Sequence, residues 1–150
     1  MKKIFFILCY LFISSLFSQD KESCFVNKKR SVKIMYKLNQ NLPHYSFSDV
    51  KNILAEIESK EGVSAEIYDM YALIYWLKED ILKAREYAKK CLYLCDDNFS
   101  TSNYIMGLIY FQQKDYQIAV DYIEKADSIG IKERFKEELY LNLENARILS

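Results

Sequence analysis

Leu73-Ile74-Tyr75-Trp76 and, 35 residues later, Leu108-Ile109-Tyr110-Phe111 are the stretches that decide the fold. The same offset lays Asp80 on Asp115, Ala84 on Ala119, Tyr87 on Tyr122 and Lys90 on Lys125. Seven identities therefore fall between Leu73 and Lys90, where unrelated stretches share about one. A period in the range of 20 to 50 residues is the mark of a repeat architecture, in which one supersecondary unit stacks on copies of itself.

Within each copy the apolar positions recur at helical spacing. Ile67, Met70/Tyr71, Ile74/Tyr75 and Leu77 form one stripe, and Ile81, Ala84, Ala88 and Cys91/Leu92 form the next. Lys78-Glu79-Asp80 interrupts the stripe in the first copy and Gln113-Lys114-Asp115 in the second, with Asp80 and Asp115 placed to cap the helix that follows. Each copy thus predicts a helical hairpin. Composition agrees, since 150 residues with only 3 Gly and 1 Pro cannot supply the turns of an all-β chain.

The residues at the hairpin crossings resemble those of the tetratricopeptide repeat family, a helix-turn-helix unit with small residues where its two helices touch. Ala72, Ala84 and Cys91 stand at those positions in one copy, and Gly107, Ala119 and Ala126 in the next. Tyr75 and Tyr110 match the aromatic late in the family's first helix, and Tyr116 the aromatic that opens its second, where the earlier copy has Ile81. The family's helix-ending proline is replaced by Asp96-Asp97-Asn98 and by Ser128-Ile129-Gly130, and its first-helix Trp is absent, Trp76 lying later on a different face. The resemblance implies an all-α fold of antiparallel hairpins stacked as a short right-handed solenoid. It also implies a non-catalytic module that binds a peptide or a partner helix.

Working outward, the two clear copies occupy residues 65–98 and 100–133, and a degenerate third lies over residues 31–64. There Val32 to Leu38 forms the first helix and Ser48 to Ser59 the second, with Val50, Ile53, Leu54 and Ile57 as the inward stripe. Leu38, Val50 and Ile57 replace its small residues, which predicts a looser hairpin. Residues 132–149 read as a capping helix with Phe135, Leu139, Leu143 and Ala146 on one face, because a terminal repeat otherwise exposes its apolar side.

The chain opens with Lys2-Lys3 before an apolar run, followed by Ser14-Ser15 and Ser18. Ile4 to Phe17 offers 14 positions, fewer than the roughly 20 that an anchor needs, so residues 1–18 read as a secretory signal and the rest as exported to the periplasm or beyond the cell. Residues 19–30, with Lys28-Lys29-Arg30, read as a linker. Without Lys2 and Lys3, 19 basic residues (21 − 2) face 21 acidic ones, and nothing in that balance points to nucleic acid. Cys24, Cys91 and Cys95 would remain. Cys91 and Cys95 are four apart on one helix, a spacing poor for a disulfide, and read as small apolar packing residues.

Family positions that face the concave groove fall on Asp69, Leu73, Trp76 and Leu77, and then on Tyr104, Leu108, Phe111 and Gln112. The resemblance makes this aromatic groove the partner site. Asp69 and Tyr104 stand where a carboxylate-gripping subclass of the family carries basic residues, so an anionic chain end is a poor ligand there. Leu73 and Leu108 could equally pack between neighbouring helices. No metal-spaced ligand set, phosphate loop or catalytic triad is present, and His44 lies in a loop beside Pro43. No cofactor and no enzyme activity are expected. Two alternatives stand beside the peptide-binding scaffold: a homo-oligomer built on the same apolar face, and a thiol redox factor using Cys91 and Cys95.

Overall fold

Two helices joined by a tight turn can approach closely only where their side chains are small, and this constraint shapes the protein from residue 65 onward. The computed structural model describes residues 23–131 and 133–150; the leader read at residues 1–18 lies outside the described residues. Among the described residues seven α-helices follow one another: α1 Lys29–Asn41, α2 Phe47–Glu61, α3 Ala65–Trp76, α4 Ile81–Leu94, α5 Ser100–Gln112, α6 Tyr116–Ile129 and α7 Glu133–Leu149. Packing runs from neighbour to neighbour and is tightest within the pairs α3/α4 and α5/α6. The result is an all-α solenoid of stacked hairpins.

Ala72, Ala84, Cys91, Ala119 and Ala126 have no exposed surface at all. Gly107 is tighter still. A Cβ built on it would sit 2.5 Å from Ile123 Cγ1 and 3.2 Å from the Ala119 carbonyl oxygen, so the missing methyl is the space that Ile123 fills. At the matched positions of the first hairpin stand Ala72 and Ala88, both fully buried. One copy shares the volume between two alanines, and the other gives it to one partner.

Turn chemistry repeats as well. Glu79 (φ 59°) and Lys114 (φ 66°) are both left-handed. The Asp80 and Asp115 amides donate to the carbonyls of Tyr75 and Tyr110, five residues back, at 3.0 Å in each copy. The Asp80 carboxylate accepts from the Lys83 amide as a true cap, whereas the Asp115 side chain makes no such bond although its backbone starts α6 in the same way. Beyond the small contacts, Tyr75 stacks on Tyr87 (5.4 Å, 3°) and Tyr110 on Tyr122 (5.5 Å, 10°). Large flat rings thus fill the side of the wedge where the helices diverge.

The degenerate copy forms helices α1 and α2, which meet far less closely than the other pairs. Val50, Leu54 and Ile57 are buried as their spacing requires. Ser46 caps α2, accepting from the Asp49 amide while the Asp49 carboxylate accepts from the Ser46 amide. At the far end Leu139, Leu143 and Ala146 of α7 close the second core. No helix among the described residues is long and apolar enough to cross a membrane.

Two readings need correction. Residues 23–28 are not a free linker: the carbonyls of Ser23 and Cys24 accept from the Ala65 and Glu66 amides, both at 2.9 Å, supplying the open N-terminus of α3 with acceptors. The Val26 amide donates to Glu66, and those of Asn27 and Lys28 to Glu61. Basic Lys29 and Arg30 already belong to α1. Nor is Cys95 merely a packing residue. It forms a disulfide with Cys24 across a Cα–Cα distance of 5.6 Å, and Cys91 alone stays a free, buried thiol among the described residues. Spacing along one helix had set Cys95 beside Cys91, but the partner came from a segment 71 residues away.

Two outcomes follow from this packing. Gly107→Ala is expected to destabilise the chain by roughly 1 to 2 kcal/mol, the overpacking cost exceeding the helix-propensity gain of alanine. In an Ile123→Ala background the same change is expected to cost less, only the backbone contacts to the Ala119 carbonyl oxygen (3.2 Å) and the Ile123 nitrogen (3.3 Å) remaining, and a double-mutant denaturation cycle reads the difference directly. Separately, Cys24→Ser/Cys95→Ser is expected to lower unfolding free energy by about 2 to 4 kcal/mol through the freed chain entropy of the unfolded state. Without reductant, alkylation of the unfolded chain is expected to label Cys91 and neither Cys24 nor Cys95.

Candidate partner-binding face

The first helices of the two hairpins carry unbroken apolar runs, Met70 to Leu77 in and just beyond α3 and Tyr104 to Phe111 in α5. A helix that is apolar all round is covered all round. Met70 through Tyr75 are each buried, and so is every residue from Thr101 to Ile109. This burial separates three of the eight groove residues, which lie inside the protein, from four that stay accessible, with half-buried Asp69 apart from both.

Leu73 (3% exposed), Tyr104 (4%) and Leu108 (7%) lie inside the protein. Tyr104 is enclosed by α7: its hydroxyl accepts from Asn142 Nδ2 at 3.1 Å, and its ring lies 6.4 Å from that of Phe135. Burial pushes the Tyr104 hydroxyl up to about 12, with Glu138 adding to the shift and the Asn142 bond opposing it. Tyr104 is therefore a core residue rather than an open anchor. The continuous apolar run from Tyr104 to Phe111 is the sequence signal for this burial.

Asp69 is also placed differently from its expected role. Its Oδ1 accepts from the Ser102 amide at 2.9 Å and the Ser102 hydroxyl at 2.7 Å. Ser102 is the third residue of α5, whose own flanking residue Phe99 offers no side-chain cap. Asp69 of one repeat thus caps the next repeat in trans, a negative charge against the positive end of a helix dipole. Cys91 lies beside this pair. Burial holds its thiol far above the ordinary range, and the Asp69 charge raises it further. A thiol so held stays protonated, and Cys95 is already bonded to Cys24, so the two do not form the dithiol of a redox factor.

The second group remains accessible. Trp76 and Phe111 are half-buried, Leu77 is 59% exposed and Gln112 is exposed. Trp76 touches both core clusters, and Phe111 meets Tyr116 edge-on at 5.5 Å. The four residues occupy matched positions at the C-terminal ends of α3 and α5, a strip along one edge of the stack.

Beside this strip opens an apolar cavity of about 560 Å³. One wall is the turn and start of α2, with Leu42, Pro43, Tyr45, Phe47 and Val50; the other is Ile74, Leu77 and Lys78 at the end of α3, and Phe135 of α7 closes it. A smaller hollow of about 70 Å³ on the other side of Leu77 and Phe135 is lined by Trp76, Tyr104 and Glu138 among others. Among the described residues no group of three His, Cys, Asp or Glu is arranged to hold a metal ion.

With the matched small contacts, turns and tyrosine stacks in view, the family can be stated. Residues 65–98 and 100–129 match the tetratricopeptide repeat. Both hairpins are tetratricopeptide repeats. The match covers α3 to α6 and not the looser pair α1/α2. Tetratricopeptide repeats generally mediate protein interactions, and the two repeats suggest an interaction module. No curated protein matches the chain, so what these repeats bind is argued from their own side chains.

The tyrosines give a pH test. Burial pushes the hydroxyl of Tyr71 up to about 12, as it does that of Tyr104. An acid whose pKa is raised on folding stabilises the fold fully below its unfolded value near 10, and that contribution is lost as pH rises through the folded value. Chemical denaturation is thus expected to show stability falling between pH 10 and 12. Tyr71→Phe should flatten that fall, and an unchanged pH profile in the variant would show that Tyr71 does not carry it.

Proposed function

We propose that the protein is an exported, non-catalytic scaffold that binds an extended segment of a partner protein along the strip formed by Trp76, Leu77, Phe111 and Gln112. The observation carrying this reading is that Leu77 stays exposed and Trp76 and Phe111 stay accessible although Leu73, Ile74 and Tyr75 of α3 and Leu108 and Ile109 of α5 are buried. Large apolar side chains spaced one repeat apart suit a segment that crosses from one hairpin to the next. Export is supported by the apolar run behind Lys2-Lys3 and by the Cys24–Cys95 disulfide, a bond that persists in oxidising compartments. The burial of Cys91 and the pairing of Cys95 with Cys24 favour a binding role over a thiol redox one.

The test uses exposed positions, so that loss of binding is not loss of fold. Crosslinking of the mature chain in its native envelope, followed by mass spectrometry, identifies the partner. Leu77→Arg and Gln112→Glu are then measured against that partner by calorimetry. Leu77→Arg is expected to weaken binding by about 2 kcal/mol, as loss of an interface anchor does, with helicity unchanged. Full-strength binding by both folded variants would place the interface elsewhere, and a mass that the chain captures only from itself would replace the scaffold with the homo-oligomer.

A further inference from the structure

The cavity between α2, α3 and α7 has a chemistry different from that of a peptide groove. Its volume of about 560 Å³ falls in the range of small-molecule sites, roughly 300 to 1,000 Å³. Its polar side chains are few. Ser46 is already engaged in the cap of α2, bonded to the Asp49 amide and carboxylate, and Pro43 has no amide to donate. A peptide laid here would bury backbone N–H and C=O groups against carbon, at the cost that unpaired polar groups incur. An acyl chain has no such groups to satisfy.

The wall also carries one formal charge, that of Lys78, whose Nζ lies 5.9 Å from the centre of the Phe47 ring. Asp49 is turned back onto Ser46 and is not part of the wall, and Glu138 lines the neighbouring hollow behind Leu77 and Phe135. An apolar interior with a single cation on its wall complements an apolar chain that ends in a single anion. From this we infer that the cavity binds a long-chain carboxylate, with its hydrocarbon along Val50, Ile74 and Phe135 and its head at Lys78. This ligand is separate from the partner segment of the strip, although Leu77 borders both.

The test titrates the purified chain with dodecanoate and with dodecanol, following the emission of Trp76, the single tryptophan, which borders the adjoining hollow. Dodecanoate is expected to bind at least tenfold more tightly than dodecanol. Lys78→Met should erase that preference while leaving dodecanol binding intact, and Leu77→Asp should weaken both. Lys78 and Leu77 are exposed, so the variants are expected to keep native circular dichroism. Absence of dodecanoate binding, equal binding of the two probes, or a preference that survives Lys78→Met would overturn the proposal. So would tighter binding of an acetylated leucine-rich heptapeptide, which would return the cavity to the peptide site.

Discussion

The close approach of two helices at a side chain that is barely there governs this structure. Where Gly107 gives up its methyl, Ile123 moves in, and the axes of α5 and α6 come together for the length of the hairpin. The same crossing in α3 and α4 is made by alanines. Interiors are packed as densely as crystals, so the distance set at this point fixes what every other residue of the hairpin can do. Tyr75 with Tyr87, and Tyr110 with Tyr122, fill the side that the crossing angle opens. Glu79 and Lys114 accept a left-handed backbone so that the turn stays short enough to hold the crossing in place.

Stacking one hairpin on another requires a different interaction, and here the protein uses charge. The α5 helix starts from Phe99, whose side chain has no oxygen to cap the helix's first turn. The acceptor comes from Asp69 in the preceding hairpin. Register between the copies is thereby tied to a hydrogen bond as well as to apolar contact, and Arg85 of the first hairpin over the Tyr110 ring of the second adds a cation–ring contact between them.

The hairpins could be read from the chain because their determinants are local. A 35-residue offset and small residues at helical spacing suffice to specify Ala72 against the helix of Ala84 and Gly107 against that of Ala119, without knowledge of anything distant. Other features depend on which element lies across from which. Asp69 was legible as a charged residue bordering the apolar run of α3, but its partner Ser102 is a full repeat away. Tyr104 could be placed on the inner face, yet whether that face is open depends on the path of α7 over it. Cys95 paired with Cys24 because residues 23 and 24 run beside the start of α3, an adjacency that no periodicity encodes. The continuous apolar runs in α3 and α5 did encode burial, and they are the better guide to which positions of the groove stay accessible.

The Cys24–Cys95 bond gives this solenoid a mechanical asymmetry. Stacked repeats ordinarily come apart unit by unit, since each touches only its neighbours. Here the covalent loop closes around α1 to α4, while α5, α6 and α7 lie outside it. Drawn from its two ends, the chain would pay out the second hairpin and α7 as slack, but the 71-residue separation inside the loop, a contour of roughly 250 Å, would stay out of reach of the pulling force until a reductant opened it. One end of the stack is thus a spring and the other a fixed mount.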